Sequence, residues 1–405
     1  MRCADFRGRC RAGVLGLALL SCLLQAGCGG GGGDGGKPAP PVLTNFQPIT
    51  VEGGPTGGVN LLFTSVTICS PGDDTDCSTI DHVLVDTAST GFRVLASVLP
   101  PRLRLVQQVA ASGAALVECT QFADGYSWGP VKTADVRLGG ETVRSIPMQV
   151  IGDPDFSIVP SACSASGPSE NTVREFGSNG ILGIGSFIND CGEACVTDAI
   201  PGTYYACSAA GCTPTQVPAD KQVRHPVSQL TKNNNGVLIR LPAVPPAGAV
   251  RVDGTMIFGI GTEANNGLGA TRVYTLDPFT ATLSVTANGM LYPGSFIDSG
   301  SNGIFFPSND IPVCSSGFYC PAAARTIDVV LQGTNGNAAP AAFTITNADA
   351  LFASNPTFAA FPTLGAPDFG FGTFDFGLPF FFGRTVFTAI EGRPTPGGPG
   401  PFVAF

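Results

Sequence analysis

Short apolar runs, rich in β-branched and aromatic residues, alternate with polar turns along most of this 405-residue chain. Runs of this kind, ended by glycine, proline, asparagine or aspartate, predict strands, and the periodicity of long amphipathic helices is almost absent. The strands we predict are residues 60–69, 82–87, 131–140, 141–151, 236–242, 254–261, 280–289, 295–300, 326–333, 341–348 and 384–392. The best helix candidate, residues 225–233, is short. The pattern therefore predicts a mostly β protein.

Two of the predicted strands end in the same polar motif. The first reads "VLVDTASTG" and contains Asp86, and the second reads "SFIDSGSNG" and contains Asp298. Each motif is followed later in the chain by apolar residues and a glycine, in "NGILGIG" (179–185) and in "FDFGLPFFFG" (374–383). A duplicated β domain with two facing sites explains both repeats economically.

The first 42 residues are typical of an exported lipoprotein. Several arginines precede the apolar run 12–24, which is too short for a permanent membrane span, so residues 1–27 are predicted to be a signal peptide. "LQAGC" resembles a bacterial lipobox, which implies lipidation of Cys28 and a membrane anchor there; the alternative is an ordinary secretory signal. Residues 28–42 are rich in glycine and proline and predict a tether. Gly29, by resemblance to Gram-negative lipoproteins, favours the outer membrane, facing the periplasm or the cell surface.

Cysteine content and charge narrow the classes further. Ten cysteines follow Cys28, and an even number in an exported chain predicts up to five disulfides. Cys69/Cys77 and Cys314/Cys320 would close short loops, whereas the cysteines between 191 and 212 could pair in more than one way. With only two histidines we expect no zinc site. The net charge of −9 argues against nucleic acid as a partner.

Two facing aspartates could hydrolyse a peptide bond without a metal or other cofactor. Two carboxyl groups within about 3 Å cannot both ionise readily, so they share a proton. The ionised group can take a proton from water while the other gives one to the scissile carbonyl. Asp86 would then be tolerated at the end of a buried strand because Asp298 arrives opposite it. The alternative is that each aspartate only caps its own turn.

The order of these motifs resembles that of the pepsin-like, bilobal aspartic proteases, over nearly the whole chain after the tether. Residues 121–140 resemble the flap hairpin of that family and the strand after it. "NGILGIG" resembles the strand behind the family's first active-site loop. Its last strands resemble "GLPFFFGRTVFTAIEG". The resemblance implies duplicated β domains with a central cleft, and we place the N-terminal lobe at 43–264 and the C-terminal lobe at 265–405. The chain also resembles uncharacterised Gram-negative lipoproteins that carry a domain of unknown function.

The resemblance also implies roles for individual residues. Asp86 and Asp298 would be catalytic, the hydroxyls of Thr87 and Ser299 would link the two loops, and those of Ser89 and Ser301 would bind the outer carboxylate oxygens. The residues implied for the flap and for substrate binding are Phe122, Gly125, Tyr126 and Trp128. Two positions depart from the family, because Ala88 replaces a glycine and Phe122 replaces the flap tyrosine, for which Tyr126 or Trp128 could substitute.

We therefore expect a lipid-anchored aspartic endopeptidase of the cell envelope, monomeric, that binds an extended peptide in the cleft by strand addition. The alternative, favoured by Ala88 and Phe122, is a catalytically inactive protein of the same fold that binds a ligand or serves a structural role in the envelope.

Overall fold

The structure is a computed structural model that describes residues 44–405. The predicted signal peptide (1–27), the lipidation site Cys28 and the predicted tether (28–42) lie outside the described residues. The described chain contains 42% strand and 10% helix, which confirms the predicted mostly β class.

Twenty-five strands are present in the described residues, and the first fourteen belong to one extended sheet. They are β1 (Phe46–Val51), β2 (Leu62–Cys69), β3 (Cys77–Asp86), β4 (Thr90–Leu95), β5 (Val106–Gln107), β6 (Ala115–Gln121), β7 (Tyr126–Leu138), β8 (Glu141–Ile151), β9 (Gly180–Ile184), β10 (Tyr204–Ser208), β11 (Gly211–Pro214), β12 (Gly236–Arg240), β13 (Val252–Phe258) and β14 (Val273–Thr275).

The remaining strands form a second sheet, a small hairpin and a return to the first sheet. They are β15 (Leu283–Ala287), β16 (Met290–Ile297), β17 (Ile304–Phe305), β18 (Arg325–Gln332), β19 (Ala338–Ile345), β20 (Gly365–Ala366), β21 (Asp375–Phe376), β22 (Thr385–Ala389), β23 (Pro394–Thr395), β24 (Gly398–Pro399) and β25 (Phe402–Ala404).

Helices are few and short in the described residues. The α-helices are α1 (Ser161–Ser164), α2 (Val173–Phe176), α3 (Glu193–Thr197) and α4 (Ala348–Ser354), and the 3-10 turns are Gly54–Thr56, Ala96–Val98, Pro154–Phe156, Val227–Gln229 and Leu378–Phe381. The helix predicted over 225–233 is wrong in extent, because only Val227–Gln229 is helical. Asn347, whose side chain accepts a hydrogen bond from the amide of Ala350, begins α4, which the sequence analysis did not identify.

The first sheet contains a closed ring of six strands. Strands β2, β3, β9, β4, β8 and β7 pair in that order, and β7 pairs again with β2. From β2 the sheet continues through β1, β13, β12, β22, β25 and β14. Strands β14, β22 and β25 come from beyond residue 264, so both halves of the chain contribute to this sheet. The second sheet has the order β19-β18-β15-β16-β21-β17-β20.

One three-strand arrangement occurs in both sheets. In the first sheet β9 lies between β3 and β4, parallel to β3 and antiparallel to β4. In the second sheet β21 lies between β16 and β17, parallel to β16 and antiparallel to β17. Asp86 is the last residue of β3, and Asp298 directly follows β16, so each aspartate lies where the loop between the outer two strands begins. The repeated motif in the sequence therefore corresponds to a repeated local structure.

A large hydrophobic core runs beneath both aspartate loops. It includes Val85 and Ile184 from the first arrangement and Ile297 and Phe376 from the second. On the side of the second sheet it is dominated by phenylalanines, with Phe306 stacked on Phe374 at 5.4 Å between ring centroids. Burial of such aromatic side chains holds the second loop on a rigid support.

All ten cysteines of the described residues form disulfides, as predicted from their even number. The bonds join Cys69 to Cys77, Cys119 to Cys163, Cys191 to Cys195, Cys207 to Cys212 and Cys314 to Cys320. Four of them join cysteines close in sequence, whereas Cys119 and Cys163 are 44 residues apart. Among residues 44–405, no helix is both long and apolar enough to span a bilayer.

The disulfide between Cys119 and Cys163 closes the longest loop and is expected to contribute most to the free energy of unfolding. Loop-closure entropy predicts a loss of about 4 kcal/mol when Cys119 and Cys163 are both changed to alanine, against about 2 kcal/mol for the pair Cys191 and Cys195. Denaturant unfolding of both double variants measures the difference. Equal losses would show that the 44-residue loop is already ordered in the unfolded chain.

Candidate active site

The two aspartate loops meet at the wall of a cavity of about 410 Å³. Asp86 and Asp298 both line this cavity, and the two residues are 7% and 8% exposed. Thr87, Ser89 and Ser301 line it as well. The structure thus brings together the two aspartates that the sequence repeats.

Backbone amides hold one oxygen of each carboxyl group. Oδ1 of Asp86 accepts hydrogen bonds from the amides of Ala88 (2.7 Å) and Ser89 (3.2 Å). Oδ1 of Asp298 accepts one from the amide of Gly300 at 2.7 Å. A Cβ atom on Gly300 would lie 2.8 Å from Cγ of Asp86, so only glycine allows the carboxyl groups to approach this closely. Ala88, at the matching position of the first loop, carries a Cβ and still donates its amide.

Hydrogen bonds between the loops fix their relative position. The Thr87 hydroxyl donates to the carbonyl of Ile297 (3.2 Å) and accepts from the amide of Ser299 (3.0 Å). The Ser299 hydroxyl donates to the carbonyl of Val85 at 2.8 Å. All three bonds are buried, and they join residues more than 200 positions apart in the chain. Because buried backbone groups need partners, these bonds resist separation of the loops.

The electrostatics of the pair favour one shared proton. The carboxyl group of Asp298 lies within hydrogen-bonding reach of Asp86. Burial, and next the charge of Asp86, raise the pKa of Asp298 well above its ordinary value. Among residues 44–405, no lysine, arginine or histidine forms a salt bridge with either aspartate. A proton between the two carboxyl groups is therefore the cheapest way to relieve their repulsion.

The two serines of the motifs differ in their contacts. Oγ of Ser301 lies 2.8 Å from Oδ2 of Asp298, whereas Oγ of Ser89 is buried and makes no hydrogen bond among the described residues. Ser89 contributes its amide to Asp86 instead of its hydroxyl. The two halves of the site are therefore not equivalent in their hydrogen bonding.

A third carboxyl group, missed by the sequence analysis, completes this side of the cavity. Asp375 also lines the cavity, and its Oδ2 lies 2.5 Å from Oγ of Ser301. The side chain is 5% exposed, and burial raises its pKa well above the ordinary value. A signal was present in the sequence, because Asp375 is an acid within the phenylalanine-rich stretch "FGFGTFDFGLPFFFG".

The predicted flap residues separate into two groups. Phe122 lines the cavity and packs edge-on against Phe176, with 5.7 Å between ring centroids. Tyr126 and Trp128 are buried in a core cluster with the disulfide of Cys119, and the Trp128 indole donates to the carbonyl of Phe156. Gly125 is also buried and is not a cavity residue.

The tip of the hairpin between β6 and β7 is attached to a neighbouring segment. The amide of Tyr126 donates to the carbonyl of Pro168 (3.0 Å), and the amide of Glu170 donates to the carbonyl of Tyr126 (2.9 Å). The Glu170 carboxyl group also hydrogen-bonds to Asp124 at the tip. Burial, and next the charge of Asp124, raise the pKa of Glu170 to about 8. Protonation of Glu170 below that pH removes its charge repulsion with Asp124 at the tip.

A buried ionic cluster supports the strand that follows the first loop. The Arg93 guanidinium of β4 donates to the carbonyl of Thr90 (2.7 Å), and it pairs with Glu118 (2.6 Å) and Asp190 (3.1 Å). Burial, and next the charge of Glu118, raise the pKa of Asp190 well above its ordinary value. One arginine thus ties β4 to two other segments behind the cavity.

Candidate metal ligands lie away from the cavity. In the described part of the chain, one group of three such side chains is close enough to hold an ion, namely Cys314, Cys320 and Asp349. Both sulfur atoms of that group already form a disulfide. The cavity itself offers carboxyl and hydroxyl groups, which suit proton transfer.

The hydroxyl of Thr87 is predicted to stabilise the contact between the loops. Thr87→Val leaves the amide of Ser299 and the carbonyl of Ile297 without their partner, at a cost of about 1–3 kcal/mol in the free energy of unfolding. Thr87→Ser keeps the hydroxyl and should cost less than about 1 kcal/mol. Equal losses in denaturant unfolding would instead assign the role to packing of the threonine methyl group.

Attachment of the hairpin tip is predicted to depend on pH through Glu170. Its pKa is raised on folding, so its proton stabilises the folded chain below the ordinary glutamate pKa, and this contribution is lost as pH rises through about 8. Hydrogen-exchange protection of the Tyr126 amide should fall several-fold from pH 6 to 9, after correction for intrinsic exchange. Glu170→Gln should abolish this fall and the control Glu175→Gln should keep it; the same fall in all three proteins would contradict the role of Glu170.

Comparison with known proteins assigns a family but no activity. None of the curated proteins with which the sequence was compared matches it significantly. A family model described as "Protein of unknown function (DUF3443)" matches residues 41–405, which include every strand described above. This chain is therefore a member of the DUF3443 family.

Proposed function

We propose that this protein is an aspartic endopeptidase of the cell envelope with a pepsin-like, two-lobed arrangement. One observation carries the proposal: Asp86 and Asp298, from two copies of one three-strand arrangement, lie within hydrogen-bonding reach of each other on a cavity wall. Burial of two facing acids without a neighbouring cation lowers the stability of the folded protein. Such an arrangement is typical of functional sites, where the raised proton affinity serves a reaction.

The proposed reaction uses the shared proton of the pair. The ionised carboxyl group takes a proton from a water molecule, whose oxygen attacks the scissile carbonyl carbon. The protonated carboxyl group gives its proton to the carbonyl oxygen, and a tetrahedral diol forms. Collapse of the diol breaks the carbon–nitrogen bond as a proton passes to the leaving amine, so no covalent enzyme intermediate arises. The amides of Ala88, Ser89 and Gly300 keep the carboxyl groups oriented throughout.

The cavity walls suit an extended peptide with apolar side chains. Phe122 lies on the hairpin side, and Phe305 stacks on Phe369 on the other side at 5.1 Å between ring centroids. Phe369 and Phe371 are 45% and 68% exposed, so the cavity entrance carries aromatic surface that a substrate side chain can cover. The substrate class that we propose is therefore unfolded or extended protein segments.

The proposed location follows from the N-terminal residues. A lipid anchor at Cys28 would hold the domain at the outer membrane of a Gram-negative bacterium, with residues 28–42 as the tether. Five disulfides in the described chain suit an oxidising compartment. Neither metal nor organic cofactor enters the proposed reaction.

A second candidate is a binding protein that uses the same cavity without hydrolysis. Phe122 has no hydroxyl group to share in a hydrogen-bond network with substrate or water, and the hairpin tip is fixed by Pro168 and Glu170. These observations favour a preformed cavity that binds a peptide and releases it intact.

Peptide cleavage from pH 3 to 8 by the full chain in detergent separates the two candidates. Cleavage should follow a bell-shaped pH profile, because the pair needs exactly one proton: both groups are acids at low pH and both are ionised at high pH. The raised pKa of Asp298 extends the active range toward neutral pH. Asp86→Asn and Asp298→Asn should each lower kcat/KM by about 10³-fold.

The matched control is Asp368→Asn, because Asp368 lines the same cavity but, within residues 44–405, its hydrogen bond is with the amide of Gly372 and not with the pair. It should retain wild-type activity. A folded wild-type protein that cleaves no member of a mixed peptide library, or Asp86→Asn and Asp298→Asn variants as active as the wild type, would overturn the peptidase proposal. Peptide binding without cleavage would support the second candidate.

A further inference from the structure

Asp375 and Ser301 extend the chain of acids beyond the pair. Oγ of Ser301 lies between Oδ2 of Asp298 and Oδ2 of Asp375, at 2.8 and 2.5 Å. A serine hydroxyl has one hydrogen atom, so it can donate to only one of the two carboxyl groups. The other carboxyl group must then donate to the serine oxygen, which requires that it carry a proton.

The surroundings of the two carboxyl groups decide which one carries that proton. Asp375 is only 5% exposed, and its Oδ1 has no hydrogen-bond partner among the described residues. An ionised group there would have one hydrogen bond and several unsatisfied lone pairs, which makes its burial unfavourable. Asp298, in contrast, also accepts the amide of Gly300. The proton therefore belongs on Asp375 and the hydrogen of Ser301 points to Asp298.

The charged groups that face Asp375 reinforce this assignment. Asp86 acts on it directly, and Asp298 acts on it through Ser301. All of these groups are acids, and in residues 44–405 no basic side chain forms an ion pair with any of them. Burial and the neighbouring negative charge both act against a third ionised carboxyl group.

The first copy of the arrangement shows what the second would be without this acid. The register of β9 with β3 and of β21 with β16 places Ile181 and Asp375 at matching positions. With Ile181 in place of an acid, Oγ of Ser89 makes no hydrogen bond among the described residues. The copy with an acid at this position has a hydrogen-bonded serine side chain, and the copy without one does not.

We propose that Asp375 is a positioning residue that stays protonated and, by donating to Ser301, fixes the Ser301 hydrogen on Asp298. Three carboxyl groups then hold two protons, one shared by Asp86 and Asp298 and one on Asp375. The net charge at the site is −1, and Oδ2 of Asp298 accepts the hydrogen of Ser301. The effect of this device on catalysis rests on the proposed peptidase function, whereas the protonation of Asp375 does not.

The protonation of Asp375 can be tested without any measurement of activity. NMR spectra of the full chain with ¹³C-labelled aspartate carboxyl carbons should contain a neutral-carboxyl signal at pH 7 that disappears in Asp375→Asn and remains in the control Asp368→Asn. Disappearance of only an ionised-carboxyl signal would overturn the proposal. Asp375→Leu provides a second variant, matched in polarity to Ile181, if the asparagine variant fails to fold.

The positioning role is tested by kinetics. An asparagine amide can still donate to Ser301, so the kcat/KM of Asp375→Asn should stay within about threefold of the wild-type value. Asp375→Leu and Ser301→Ala should each lower kcat/KM by roughly fivefold or more, which is equivalent to the loss of one hydrogen bond. If Asp375 acts through Ser301, Asp375→Leu added to Ser301→Ala should cause no further loss. Independent, additive losses would contradict the proposal.

The NMR and kinetic experiments together distinguish failure of this inference from failure of the proposed function. A wild-type protein without peptidase activity but with the neutral Asp375 signal would refute only the proposed function. Cleavage that depends on Asp86 and Asp298, without that signal, would refute only the role of Asp375.

Discussion

The burial of two facing carboxyl groups is the constraint on which the rest of the site depends. Asp86 ends β3 and Asp298 directly follows β16, both strands contribute to the hydrophobic core, and each aspartate is more than nine-tenths buried. Such a pair is stable only when it holds a proton and when its other oxygens accept hydrogen bonds. The amides of the two loops, the Thr87 and Ser299 hydroxyls and the absence of a side chain at Gly300 all meet that requirement. Both aspartates line the cavity, which is where we propose that a substrate meets the shared proton.

The two copies of the three-strand arrangement differ in sequence and in hydrogen bonding, so the two aspartates have different surroundings. Position 88 is alanine where position 300 is glycine. The Ser89 hydroxyl makes no hydrogen bond within residues 44–405, whereas the Ser301 hydroxyl lies between two acids. Ile181 and Asp375 occupy matching places in the register. Asp86 accepts two backbone amides, whereas Asp298 accepts one backbone amide and one serine hydroxyl. A site built from two identical copies would hold its proton symmetrically, whereas this one has distinct surroundings for each carboxyl group.

Local patterns in the sequence predicted much of this structure. β-Branched runs between turn residues identified strands such as β8, whose bounds agree with the prediction, and the repeated aspartate motif identified both halves of the site. The disulfides of Cys69 with Cys77 and of Cys314 with Cys320 followed from short spacing. What sequence reasoning missed depends on contacts between distant segments. Asp375 reaches Ser301 only because β21 lies beside β16, and the hairpin tip is held by residues near Pro168 that share no recognisable motif with it.

Neutron diffraction from crystals grown near pH 6 in deuterated solvent tests the central claim most directly, because it locates the protons on the carboxyl groups. The account predicts one deuteron between the carboxyl groups of Asp86 and Asp298. Two ionised groups with no deuteron between them, or carboxyl groups too far apart to share one, would contradict it.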